Sequence, residues 1–258
     1  MNRTSQYFTE NFLKLNGDKT EAIVFQTFRK TLYPTIFLND EVTELSPVVN
    51  FLGIFIDCFM RWDYQTEHIC KRLSSVLYLI RRLSSFCNRE VMLQVYHGLF
   101  HSILSYGLVV WGSTSSSNLV KVLKLQKRAV RSILNLGFRE SCRDAFVNLK
   151  IPTIFSQYIM ATILSLTSNE CNTYFDHLSV NHQYSTRFRE NNFNTPYHRT
   201  TLFEKNPFYR GAQFYNALPN YMKMFDKQGS KFKKELRKVL LSKSLYSFEE
   251  YFELCNEI

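Results

Sequence analysis

The rhythm of apolar residues changes once along this chain, near residue 57. Before that point EAIVFQT, LYPTIFLN, EVTEL and VVNFLGIFI alternate and carry β-branched or aromatic side chains. That period of two is the signature of strands. Asn39-Asp40, between two of the segments, reads as a tight hairpin turn. Residues 21–56 are therefore predicted as a short antiparallel meander, with Pro34 at a strand start or an edge.

After Asp57 the period becomes helical. Ile69, Leu73, Val76, Ile80, Leu83 and Phe86 recur at steps of four and three, one apolar stripe on a helix of about six turns. Asn88 reads as the N-cap of a second helix through VMLQVYHGLFHSIL. Gly107 and Gly112 bracket a break, and the polar run Ser113 to Asn118 can cap a third helix over Leu119–Leu136, ended by Gly137. Short and longer helices are predicted at Arg143–Leu149 and Thr153–Leu166. Residues 168–228 are rich in Asn, Tyr, Thr and His and hold three prolines. They read as long loops with short helical turns. Phe232, Leu236, Val239 and Leu240 line a last basic helix, and Ser247 to Glu250 forms an S-x-x-E capping box before EEYFEL.

Composition supports a helix-dominated, core-forming chain. Of the 258 residues 45% are apolar, 23 are Phe and 15 Tyr, and only eight are Gly. The formal charge is +10, which favours an anionic partner, nucleic acid before an acidic membrane surface. The six cysteines (Cys58, Cys70, Cys87, Cys142, Cys171, Cys255) are scattered without a C-x-x-C pair. They read as reduced thiols of an intracellular protein rather than a disulfide framework or a zinc ribbon. MNRTSQYFTE has no apolar h-region. The best apolar run, Ile151 to Leu166, is too short and too polar to span a bilayer.

The charge has a pattern on the third helix. Lys121, Lys124, Arg128 and Arg131 fall on one face, with Lys127 at its margin, while Leu119, Leu123, Val130 and Ile133 face a core. Like charges at these spacings repel, and a phosphate backbone would relieve the repulsion and release counterions. Lys231, Lys234 and Lys238 repeat the idea near the C-terminus, diluted by Glu235, and read as a solvated face. His97 and His101 are four apart, but Gly98 stands where a metalloprotease helix carries Glu, and no further ligand completes a tetrahedron. No nucleophile elbow, Walker loop or dinucleotide fingerprint is present. Nucleotidyl transfer needs carboxylates that hold paired metal ions. The acidic pairs Asp40-Glu41 and Glu249-Glu250 lack the apolar strand context for that work.

Several blocks, in order, resemble the reverse transcriptases of non-LTR (LINE-type, jockey-like) retrotransposons. Asn11 to Asn16 followed by Lys19-Thr20 is similar to the family's helix leading to N-x-x-K-T. Val49 to Asp57 (VNFLGIFID) resembles its strand with Leu-Gly at the centre, and Trp62 and His68 the start of its thumb. YHGLFHSILSYGLVVWG (Tyr96–Gly112) and LQKRAVR (Leu125–Arg131) resemble its thumb signatures. GAQFYNALP (Gly211–Pro219), KFKKELRK and YSFEEYF resemble its tail. The resemblance implies that the backbone at Phe51, Leu52 and Gly53 grips a primer terminus. It implies that Lys19 faces departing pyrophosphate, and that the thumb cations track a duplex backbone without reading bases. The family's catalytic aspartates lie upstream of N-x-x-K-T, and no Asp occurs among the ten residues before Asn11.

The expected fold is mixed α+β and mostly α. A palm-edge remnant with the meander spans 1–60, a helical thumb-like domain 61–167, a loop-rich linker 168–228 and a helical tail 229–258. No catalytic residue, metal ligand or cofactor is expected in this chain, although the full-length family uses magnesium. The expected role is that of a truncated, catalytically silent segment of an RNA-directed DNA polymerase. Its expected partners are RNA, DNA or their hybrid; a subunit that supplies thumb and tail to a longer polymerase chain in trans is a first alternative. A non-catalytic helical scaffold or an inert product is the second alternative. A cytoplasmic or nuclear location without a membrane completes the picture.

Overall fold

A computed structural model describes residues 2–14, 16–26, 34–38, 41–168, 192–225 and 228–258. It is mostly helical, with two short antiparallel strand pairs. The chain divides into two compact units, Met1–Gln65 and Thr66–Ile258.

The first unit opens with a helix over Asn2–Glu10. A 3₁₀ turn at Gly17–Lys19 follows, where the Asn16 side chain accepts the Lys19 amide proton at 3.3 Å. Ile36–Leu38 pairs with Glu41–Thr43, Leu38 facing Glu41. The expected turn residues between them, Asn39 and Asp40, lie outside the described residues. Val48–Phe51 pairs with Ile54–Asp57. The strands thus form two separate hairpins. Of the stretch expected as a first strand, Glu21–Gln26 contributes a single bridge, Ala22 with Leu45, and residues 27–33 lie outside the described residues.

VVNFLGIFI, a continuous apolar run, reads as one strand but folds back on itself. Leu52 and Gly53 take φ 51° and 80°, the two left-handed residues of a two-residue hairpin turn. Gly adopts this conformation freely, and the Asn50 side-chain Oδ1 secures it by accepting the Gly53 N–H at 3.0 Å. Beyond the hairpin, the buried Asp57 carboxylate accepts the amide protons of Phe59, Arg61 and Trp62 at 2.8–3.1 Å. It holds a tight reversal in which Met60 and Trp62 have φ 51° and 66°. The aspartate closing the apolar strand therefore organises backbone, spending its lone pairs on amides.

The second unit is helical, and Asn88 and the Ser113–Asn118 run supply helix caps as their sequence suggests. The Asp63–Leu83 helix buries Ile69, Leu73, Leu77 and Ile80. Phe86, expected at the end of that stripe, lies past the helix and is 85% exposed. Ser84 and Ser85 turn their hydroxyls onto the Arg81 and Arg82 carbonyls and end the helix before Phe86 is reached. Asn88 caps the next helix through Val91 N–H at 3.0 Å.

That helix runs as Arg89–Val95, a wide π turn at Tyr96–His101, and Ser102–Ser105. Met92, Tyr96, Phe100 and Leu104 are all buried although strictly four apart. In a regular helix of 3.6 residues per turn each such step would drift by about 40° around the axis. The π turn takes more residues per turn and brings the row back onto the core. Gly107, at φ 60°, then reverses the chain into Leu108–Trp111. Trp111 is buried and donates from Nε1 to the Tyr106 carbonyl at 2.9 Å. Tyr106 itself is half exposed.

Ser115 caps the Ser116–Leu134 helix. The left-handed residue that ends it is Asn135, φ 52°, rather than Gly137. Asn tolerates this conformation better than most side chains, so the helix stops two residues earlier than the glycine suggests. Arg143–Asn148 follows, and Thr153 caps Ile154–Thr167.

Ile154–Thr167 is buried on nearly every side and is the axis of the unit. Part of the stretch expected as loops packs directly on it, namely the eleven-residue helix Pro207–Ala217. Asn206 caps that helix and Pro207 occupies its first turn, where the missing N–H costs nothing. Gly211 lets it approach closely, since a Cβ there would stand 3.0 Å from the Thr162 carbonyl oxygen. Phe214, Tyr158, Phe248 and Tyr251 form an aromatic cluster. It is closed by the Tyr251 hydroxyl donating to the Phe214 carbonyl at 2.7 Å. Helices Gly229–Ser242 and Glu249–Glu257 complete the unit. Ser247 accepts the Glu250 N–H at 3.3 Å. Glu250 turns its carboxylate to Tyr246 N–H and to Arg143, so half of the expected capping box forms. Among the described residues no helix is long and apolar enough to cross a membrane.

Candidate nucleic-acid interface

The Ser116–Leu134 helix is amphipathic in the way its sequence predicts. Leu119, Val122, Leu123, Ala129, Val130 and Ile133 are buried, and Lys121, Lys124 and Arg128 are exposed. The inward face also holds Gln126, which is fully buried. Its amide donates to Tyr96 Oη and to the Pro152 carbonyl, both at 2.9 Å, and its oxygen accepts Ile154 N–H at 3.0 Å. This one side chain ties two segments, around Tyr96 and Pro152–Ile154, to the helix.

The outward face forms one wall of a cleft of about 1070 Å³. Lys124, Lys127, Arg128, Arg131 and Ser132 line it from this helix. Arg81 and Ser84 line it from the end of Asp63–Leu83, and Asn135, Leu136 and Phe138 from the chain beyond. The described lining therefore holds five cations and no carboxylate. None of the five is in an ion pair with a carboxylate of the described residues.

An aromatic ring and a backbone carbonyl hold two of these cations in place. Lys127 sets its ammonium 3.6 Å from the centre of the Tyr246 ring, an attraction to the negative ring face. Burial pushes its pKa below that of an ordinary lysine, with Cys142 and Glu250 opposing the shift and the Arg143 and Arg131 charges adding to it. Burial pushes the Tyr246 hydroxyl up to about 12. Arg143 stacks near the same ring, 4.1 Å from its centre. It grips Glu250 with both terminal nitrogens at 2.6 and 3.0 Å, which holds the Glu250 carboxyl below the usual range. Arg131 donates to the Glu140 carbonyl at 2.9 Å. Thus Glu250 pairs with Arg143, while the five cations lining the cleft are in no ion pair among the described residues.

The structure gathers only part of the predicted set. Lys124, Lys127, Arg128 and Arg131 share the cleft. Lys121 lies outside its lining and donates to Asn118 Oδ1 at 3.0 Å. Lys19, Phe51, Leu52 and Gly53 belong to the first unit. There Lys19 is exposed at the end of its 3₁₀ turn and the other three form the exposed tip of the second hairpin. Arg81, Ser84, Ser132, Asn135 and Phe138 were not read from the sequence as site residues. The Arg81-Arg82 pair in a helix's last turn was a usable signal, but its meeting with the third helix is a tertiary fact.

The other candidates are quieter. His97 and His101 stack edge to face, centroids 5.6 Å apart. Burial lowers both pKa values, helped by Arg237. Among the described residues no three His, Cys, Asp or Glu side chains converge as a metal site would require. Lys238 pairs with Glu235 at 3.7 Å, and Lys231 lies over the Phe225 ring. The described cysteines are free thiols, and Cys171 lies outside the described residues.

Comparison with known proteins gives a distant relationship. The chain is 25% identical over 157 residues to the RNA-directed DNA polymerase from mobile element jockey of Drosophila melanogaster. The match covers 58% of this chain and 17% of that protein, so the chain spans a small part of its relative's length. No protein-family profile matches, and no solved structure matches. The similarity is to a retrotransposon reverse transcriptase, on a fold that is mostly helical with a small antiparallel β portion.

Proposed function

We propose that this chain corresponds to the part of a non-LTR retrotransposon reverse transcriptase that follows the catalytic carboxylates. In this reading residues 1–60 are an edge of the palm, and the helices after them supply the thumb and tail. The function is sequence-independent binding of RNA, DNA or their hybrid at the basic cleft, without nucleotidyl transfer by this chain alone. A longer polymerase chain is a partner of the same reading.

The observation that carries it is the cleft, whose described lining holds five cations outside any described ion pair and no carboxylate. Like charges this close raise the energy of the unliganded protein. A phosphate backbone answers all of them at once and sheds its condensed counterions. Cations without base-reading geometry give affinity and position rather than sequence choice.

Fluorescence anisotropy of the full chain with a labelled RNA–DNA hybrid, titrated from low to moderate salt, tests the binding. Five phosphate contacts predict a log–log slope of about −4, the same for unrelated sequences. A flat salt response, or strong sequence dependence, would remove the phosphate-tracking reading. Primer extension with magnesium and nucleotides is expected to give no product, and extension by the purified chain would overturn the non-catalytic part.

A further inference from the structure

We propose that the cleft takes a single strand more tightly than a duplex, with an unpaired base stacked on Phe138 while the cations hold the adjoining phosphates. This rests on the nucleic-acid reading of the cleft and narrows its ligand.

Phe138 is 88% exposed and lines the cleft. Apart from Leu136, every other side chain of the described lining is charged or carries a hydroxyl or amide. A free aromatic face beside clustered cations is the combination by which proteins hold single strands, the cations following the backbone and the ring taking bases of any kind. Within a duplex both faces of each base are covered by the neighbouring pairs, so Phe138 has nothing to stack on except at a strand end. Ser84, Ser132 and Asn135 lie in the same lining and can meet the edge of any base without selecting one. The cleft, at about 1070 Å³, exceeds the roughly 300–1,000 Å³ of pockets that enclose a drug-sized molecule, so a short run of nucleotides fits. Phe86 is almost as exposed, at 85%, but is not part of the lining and serves as a control.

Anisotropy with a labelled single-stranded oligonucleotide and with a long blunt duplex of the same sequence tests this on the full chain. Phe138→Ala is expected to weaken single-strand binding about 10-fold and leave duplex binding unchanged. Phe138→Tyr should stay within about twofold of the parent because it keeps the ring, and Phe86→Ala should bind like the parent. Wild-type single-strand affinity in Phe138→Ala, or equal losses for single strand and duplex, would overturn the stacking. If Lys124→Glu with Arg128→Glu still abolished binding in that case, the phosphate reading would stand without it. If the charge reversal also left affinity intact, both readings would fall.

Discussion

Lys124→Glu combined with Arg128→Glu should weaken nucleic-acid binding by more than about 100-fold at moderate salt. Both side chains are exposed and line the cleft. Reversing the two takes the lining from five positive charges to a net of one. Each lost phosphate contact also removes a counterion from the release term, so the salt slope should flatten by about two. The fold should tolerate the change, because neither residue is buried and surface substitutions rarely exceed about 0.5 kcal/mol. Arg131 is a poorer target despite its place in the lining, since it also holds the Glu140 carbonyl. Anisotropy with circular dichroism as a fold check reads the result. Unchanged affinity in a folded double variant would dismiss the cleft as the binding surface.

Gln126→Leu should cost about 4 kcal/mol of stability, read as a fall in the urea midpoint of the full chain. Leucine nearly preserves volume, so the loss is polar rather than steric. Two groups lose their Gln126 partner inside the core, the Tyr96 hydroxyl and the Ile154 N–H. The Pro152 carbonyl keeps the Gln157 amide at 2.9 Å. A buried unsatisfied group costs about 1–3 kcal/mol, and domains of this kind hold only about 5–15 kcal/mol in total. A midpoint within error of the parent would show that water reaches these groups and that Gln126 is not the tie described above.

The parts of this structure that were legible in the sequence are those decided within a few residues. Asn88 and Thr153 cap helices because a short polar side chain reaches an amide two or three positions on, and nothing distant can compete. The apolar face of Ser116–Leu134 was equally plain, because period and burial follow the same geometry. The turn at Leu52-Gly53 was hidden because its neighbours are apolar throughout, and a run without polar punctuation reads as one strand. Pro207 reads as loop material, yet with Asn206 before it the pair is a helix start. Leu77 joined the core in place of Phe86 because the helix end, set by Ser84 and Ser85, interrupted the stripe. The cationic half of the cleft was visible as spacing on one helix. Arg81 and Phe138 were not, since they reach the cleft from elements whose packing no local pattern encodes.

The wide turn at Tyr96–His101 also bears on how this helix can vary in length. It works as a one-residue insertion absorbed where it arises, with His97, Gly98 and Leu99 bulging outward and nothing downstream displaced. A shorter version of the chain, missing Gly98, would place the same four core side chains at gaps of four, three and four, the ordinary cadence of an α-helix. The core is therefore compatible with either length, and a gain or loss of one residue here is a change the fold can pass over silently.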